Sequence, residues 1–165
     1  MDETVRAHQR PAGPLSPLGL GVVGGTIILD QIAKRVAETR LPFDESIDVA
    51  PILSLHLIHN EGIAFSMLSA YGGLALIGLT LVISGAVLAL WWRATQGGRL
   101  ATIGYALIVG GALGNLADRV LYGYVIDFLL LHFGDWTLFV FNLADSALTV
   151  GAAILLLVHA WPKRP

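Results

Sequence analysis

Four long stretches of this sequence carry no Asp, Glu, Lys or Arg, and that alone removes most folds from consideration. They cover residues 11–29, 62–92, 100–117 and 146–162. A helix needs about 20 mainly apolar residues to cross the hydrocarbon layer, and each block supplies them once its weakly polar ends are included. Charged residues make up 13% of the chain, against roughly 25% in ordinary soluble domains. The pattern predicts an all-α membrane protein with four spans, at about 18–36, 71–92, 100–120 and 141–161. A cleaved signal peptide is a poor account of the first block. The preceding segment is not strongly basic, no small-x-small site ends the run, and the run leads into Asp30, Lys34 and Arg35.

Four crossings put both termini on one side. Arg6, Arg10, Arg93, Arg99, Lys163 and Arg164 gather there, which marks that side as cytoplasmic by the excess of Lys and Arg. On the other side Lys34, Arg35, Arg40 and Arg119 are mixed with Glu38, Asp44, Glu45, Asp48 and Glu61. Trp91, Trp92 and Trp161 then fall at the inner interface and Tyr122, Tyr124 and Trp136 at the outer one, where amphipathic rings prefer to sit. Two segments face outward. In the first, 37–70, Leu53-Ser54-Leu55-His56-Leu57 alternates apolar and polar, the period of a half-buried strand. Residues 41–49 can pair with it across Ala50-Pro51, giving a small extracytoplasmic sheet. The second, 121–140, is expected to be an outer loop. It is rich in aromatic and aliphatic residues yet contains Asp127.

Ionisable residues at the lip of a span are costly and tend to be functional. Asp30, Asp118, Asp127 and Asp145 qualify. Asp30 has Lys34 four residues on, at ion-pair spacing on a helix, and Asp118 is followed by Arg119. Asp127 and Asp145 have no basic residue within four positions. Two uncompensated carboxyls close together can share one proton, which suits water-mediated peptide hydrolysis. One ionised carboxylate takes a proton from water, and the protonated partner hydrogen-bonds the scissile carbonyl. Asp145 lies about four residues into its span, roughly 6 Å of helical rise. The same acids could instead bind protons or cations in a coupled carrier, or clamp helices together.

Asn115, Asp118 and Arg119 share one face of the third span, as Asn142 and Asp145 do on the fourth. Gly110, Gly111 and Gly114 allow close helix approach. With no cysteine in the chain, thiolate metal sites, disulfides and a Cys nucleophile are excluded. His56 and His59 fall on opposite faces of an alternating segment, Ser146 lacks a neighbouring base, and His132 and His159 have no evident partners. No basic patch with interleaved aromatics marks nucleic acid as a partner.

Five blocks carry a resemblance to a known family. They are Asp30-Gln31-Ile32-Ala33-Lys34; Asn60-Glu61-Gly62-Ile63-Ala64-Phe65-Ser66; the run from Gly110 through Asn115 and Asp118 to Arg119; Val125-Ile126-Asp127-Phe128; and Phe141-Asn142-Leu143-Ala144-Asp145-Ser146, followed by Gly151. In this order and spacing the sequence closely resembles lipoprotein signal peptidase, or signal peptidase II, a bacterial aspartyl endopeptidase family. The resemblance implies four transmembrane helices, both termini cytoplasmic, an extracytoplasmic sheet cradling the substrate, and a short surface helix. It implies removal of the signal peptide from diacylglyceryl-modified prolipoproteins just before the lipidated cysteine, in the bacterial inner membrane near its outer face. Asp127 and Asp145 map onto the catalytic pair. Asp30, Lys34, Asn60, Gly62, Asn115, Asp118, Arg119, Asn142 and Ala144 map onto supporting positions. Neither metal nor organic cofactor, and no obligate protein partner, is implied. Residues 1–165 are expected to form one membrane-embedded peptidase domain, with 1–16 a cytoplasmic extension beyond the family core. A coupled carrier remains the alternative from another class, although neither internal repeats nor matched broken spans occur. A non-catalytic scaffold would not need two unpaired acids, and the Gly-x-Gly-Asp sequence of presenilin-type proteases is absent.

Overall fold

A computed structural model describes residues 10–62 and 73–160. The expectations that involve Arg6, the 63–66 part of the second block, Tyr71, Trp161, Lys163 and Arg164 lie outside the described residues.

The chain runs α1 (Pro17–Arg40), β1 (Ser46–Ala50), β2 (Leu53–Asn60), α2 (Gly73–Arg93), α3 (Gly98–Tyr122), β3 (Val125–Phe133), β4 (Trp136–Phe141) and α4 (Leu143–Ala160). Local chemistry sets the ends of these helices. Ser16 is extended and its hydroxyl accepts from the Gly19 amide, with Pro17 in the first turn. At the other end of α1, Leu41 precedes Pro42, which disfavours helical backbone, and it is extended at φ −98° and ψ 141°. Gly123 closes α3 at φ +86°, its amide reaching the Arg119 carbonyl, a conformation that glycine adopts without strain.

Among the described residues three helices are long and apolar enough to cross a membrane: Leu74–Arg93, Gly98–Tyr122 and Leu143–Ala160. The helix α1 has the length, but Asp30, Gln31 and Lys34 interrupt its apolar run. The protein is therefore a helical membrane protein whose described residues form four helices, three of them candidate spans, with a small antiparallel sheet.

The helix α3 is the centre of the bundle. Its N-terminal end packs Ala101, Tyr105, Ala106 and Val109 against Trp91 of α2. Trp91 donates its indole N–H to the Ala12 carbonyl at 2.8 Å, and Thr102 also reaches that oxygen. The described part of the N-terminal extension thus lies across the ends of α2 and α3. Further along, small residues bring three backbones together. A side chain at Gly110 would meet Thr26 and the Val23 carbonyl of α1, and one at Gly111 would strike the Ala144 carbonyl of α4. Gly111→Val should therefore lower stability by about 1–3 kcal/mol through overpacking. Gly21, exposed and with open space where a Cβ would go, is the control. Gly21→Ala should gain about 0.5–1 kcal/mol from helix propensity, and thermal unfolding in detergent compares the two.

The sheet has the order β1-β2-β3-β4, antiparallel throughout. The pairing expected between 41–49 and the alternating stretch is present as Ser46–Ala50 against β2. The expected outer loop over 121–140 is corrected: most of it is the β3–β4 hairpin, turning at Gly134-Asp135 with Gly134 at φ +55°. Alternation is missing from β3 because the strand is central and its first four residues are buried on both faces. The sheet is thus larger than all-α implies. No short surface helix occurs among the described residues.

Candidate active site

The start of α4 brings the two uncompensated acids together. Asn142 precedes the helix, and its side-chain oxygen accepts from the Asp145 amide at 2.9 Å while an Asp145 oxygen accepts from the Asn142 amide at 3.2 Å. This is a capping box, with Asn and Asp in the roles more often taken by Ser and Glu. It fixes the Asp145 carboxyl at the helix mouth. The side-chain N–H₂ of Asn142 points the other way, donating to Asp127 Oδ1 at 2.6 Å and to Asn115 Oδ1 at 3.1 Å. One asparagine therefore holds both carboxyls.

Each acid has a second amide of its own. Asn60 at the end of β2 donates to Asp127 Oδ2 at 2.9 Å, and its own oxygen is steadied by the Gly62 amide at 2.8 Å. Gly62 turns there at φ +86°, with Leu76 where a Cβ would go. Asn115 of α3 donates to Asp145 Oδ1 at 2.8 Å. The environments differ in exposure. Asp127 is 1% exposed, whereas Asp145 is half-buried and lines a cleft of about 510 Å³ with Leu131, Phe139, Val140, Phe141, Ser146, Thr149 and Val150. Burial pushes the Asp127 carboxyl up to about 6, and the nearby Asp145 charge adds to this. The Asn60 and Asn142 hydrogen bonds and the Lys34 charge oppose the rise.

Beneath the acids lies a buried cation. Lys34 contacts Asp30 Oδ2 at 2.8 Å, Asp118 Oδ2 at 2.7 Å and Asn115 Oδ1 at 2.9 Å, with all three charged groups sealed from solvent. Asp30 also receives the Ala144 amide at 2.9 Å, and Asp118 receives the Ile126 amide at 3.2 Å. Lys34 thus ties α1 and α3 to the starts of β3 and α4, and through Asn115 to Asp145. Gly114 is glycine for a local reason, since a Cβ would come within 2.8 Å of Asp30 Oδ2.

All eleven residues singled out in the sequence meet in this network. The i,i+4 pair of Asp30 and Lys34 is present, but the partner of Asp118 is corrected. Its counter-charge is Lys34, while Arg119 donates to the Asn115 carbonyl at 3.3 Å and lies within electrostatic reach of Asp118, Asp127 and Asp145. Sequence reasoning passed over Gln31, whose amide donates to Asp118 Oδ1 at 2.8 Å and reaches Asp30 and the Gly114 carbonyl. A polar amide inside an apolar run was the available signal. Ser146 donates its hydroxyl to the Asn142 carbonyl. His132 does have partners: Ser54 at 2.8 Å and the Gly134 carbonyl at 3.0 Å. So does His159, at 2.7 Å from the Leu155 carbonyl. His56 meets Ser46, and His59 stacks on Tyr124. No group of three or more acids and histidines has metal-holding geometry among the described residues.

The chain is similar to known proteins of one family. The sequence profile of the Signal peptidase (SPase) II family, Peptidase_A8, matches residues 22–161. A lipoprotein signal peptidase of Sinorhizobium fredii is 47% identical over 131 residues, 79% of each chain. Another, of Mesorhizobium japonicum, is 45% identical over 152 residues, covering 91% of this chain and 90% of the relative. A solved bacterial membrane enzyme superposes with a TM-score of 0.79 at 27% identity, over 93% of this chain and 97% of that one.

Proposed function

This chain belongs to the signal peptidase II family and is an aspartic peptidase of the lipoprotein signal peptidase type; on that premise we propose that Asp127 and Asp145 are its catalytic pair. The single observation that carries this reading is Asn142, whose amides bind both carboxyls at once. The coupled-carrier alternative finds no support among the relatives.

Water enters from the cleft on the Asp145 side. One carboxylate accepts a proton from it as the oxygen attacks the scissile carbonyl. The other carboxyl, protonated, donates to the carbonyl oxygen, and a proton then passes to the departing amine. Asn60, Asn115 and Asn142 aim the carboxyls, and Gly62 aims Asn60. Asp30, Lys34, Asp118 and the Ala144 amide hold the frame, with Arg119 balancing the charge. The substrate is a prolipoprotein carrying a diacylglyceryl cysteine, and the cut falls just before that cysteine. Lateral entry keeps the acyl chains in lipid.

In this reading α1 is a fourth span. Its interior charges face α3, and exposed Leu20, Ile28, Leu29, Ile32 and Val36 give it an apolar outer face. Both termini are cytoplasmic, the sheet lies on the outer face as a cradle, and residues 1–165 form one domain.

The test is cleavage of a diacylated prolipoprotein by the protein in detergent, followed by its size shift. The expected result is a shift at the cysteine with no added metal or cofactor. No cleavage by a folded protein would sink the proposal. The pH profile should be bell-shaped, with apparent values belonging to the pair. Because the Asp127 carboxyl lies at about 6, turnover should fall on the alkaline side as the shared proton leaves, with that limb at or above about 6. It should fall again on the acid side as the second carboxyl protonates. A flat profile from pH 4 to 8 contradicts a shared proton.

A further inference from the structure

Among the described residues the four-stranded sheet has two edge strands with no further strand beside them, β1 and β4, and they are built differently. The β1 edge is defended: the strand has five residues, carries Asp48, is flanked by Glu45 and Pro51, and its register breaks between Asp48 and Ala50. Charges, proline and bulges are the usual means of stopping a bare edge from pairing. The β4 edge, Trp136-Thr137-Leu138-Phe139-Val140-Phe141, has no charge and no proline. Its register with β3 is unbroken over Phe139–Leu131, Val140–Leu130 and Phe141–Leu129, and shifts only farther along. The regular, undefended half of this edge is the half that leads into the site. Phe141 is followed directly by Asn142, and Phe139, Val140 and Phe141 line the same cleft as Asp145.

A peptide bond can be hydrolysed only when its carbonyl is accessible, and the substrate is therefore extended at the cut. We infer that the substrate residues flanking the scissile bond add to the free edge of β4 as a fifth strand, held by main-chain hydrogen bonds. This rests on the peptidase reading above and goes beyond a sheet that merely cradles the substrate. An added strand running along β4 passes Asp145 without leaving the cleft. Its side chains alternate between two faces. One set enters the apolar cleft walled by Leu131, Phe139, Phe141 and Val150, and the other faces outward. The edge thus sets both the conformation of the substrate and which of its side chains are read.

The test is a backbone N-methyl scan. Diacylated lipopeptides spanning the cut each carry one N-methyl group, placed in turn at every amide except the scissile one. Only every second amide of an added strand faces β4, so kcat/KM should fall about tenfold at alternate positions and little between them, the loss of one main-chain hydrogen bond each time. A uniform fall, or none, overturns the inference. The unmethylated peptide is the reference: if it is not cut at the cysteine, the peptidase reading has failed instead. Because the chain has no cysteine, Thr137→Cys reports separately on the other occupant, a second copy of the protein. A disulfide dimer through β4 that saturating lipopeptide does not prevent would assign the edge to self-association and overturn the inference. Monomer in the presence of lipopeptide supports it.

Discussion

Asp127→Asn and Asp145→Asn are each expected to cut turnover of a diacylated prolipoprotein by about a thousandfold or more, the scale of a lost acid or base in proton transfer, while the protein stays folded. Neither carboxyl can stand in for the other, since one must be ionised while its partner carries the proton. Asp127→Asn should also stabilise the fold at pH 7. In the folded protein this carboxyl lies at about 6 rather than the usual 3.8. Its folded value is raised, so its contribution is fully present below pH ~4 and is lost as pH rises through about 6. The ionised carboxylate at neutral pH therefore costs stability, roughly 2–3 kcal/mol if it titrated alone. An amide removes that cost, but it offers one acceptor oxygen where Asn60 and Asn142 both donate, which takes back about 1 kcal/mol. Thermal unfolding in detergent should find the variant about 1–2 kcal/mol more stable at pH 7, with the advantage gone near pH 4. A variant less stable at every pH would mean that Asp127 serves the fold.

Lys34→Met has the largest expected effect on stability. The methionine fills similar volume but leaves Asp30 and Asp118 facing one another, both sealed from solvent and without their cation. Breaking a buried pair by removing one partner costs about 3–5 kcal/mol, enough to consume much of a domain's margin. The loss should shrink in Lys34→Met/Asp118→Asn, which removes one of the two stranded charges. Asp118→Asn alone should chiefly weaken packing. Unfolding midpoints of the three variants at pH 8 check this. A Lys34→Met protein as stable as the parent at pH 8 would remove the lysine from the centre of the frame.

Much of the architecture was legible because lipid imposes a coarse rule: charge-free blocks show as helices. The strand β2 was legible from its apolar–polar alternation in sequence, although its burial does not follow that alternation: Ser54 is sealed, Leu53 and Leu55 are half-buried, and the register with β3 shifts between Leu55 and Ile58. β3 was not, since burial on both faces erases the period that identifies a strand. What remained was an apolar run ending in Phe133-Gly134-Asp135-Trp136, a two-residue Gly-X hairpin turn that was available and passed over. At the site, Asp127 and Asp145 stood out by lacking a cation nearby in sequence. That argument uses sequence distance alone, so it paired Asp118 with Arg119 and missed Lys34, which reaches Asp118 only through the packing of α1 on α3. The capping box of Asn142 and Asp145 was readable in principle from its four-residue spacing. The second duty of Asn142, binding Asp127, depends on where β3 ends up relative to α4 and is not written in either segment alone.

One oxygen between two carboxyls is the core of the account, and a structure of the protein with an uncleavable diacylated peptide tests it most directly. The scissile carbonyl of the peptide is replaced by a secondary alcohol, whose hydroxyl occupies the place of the attacking water. The expected result is that hydroxyl within about 3.2 Å of a carboxyl oxygen of Asp127 and of Asp145 together. A hydroxyl bound to one of them alone, with the other turned away or held on the far side of Asn142, would contradict it.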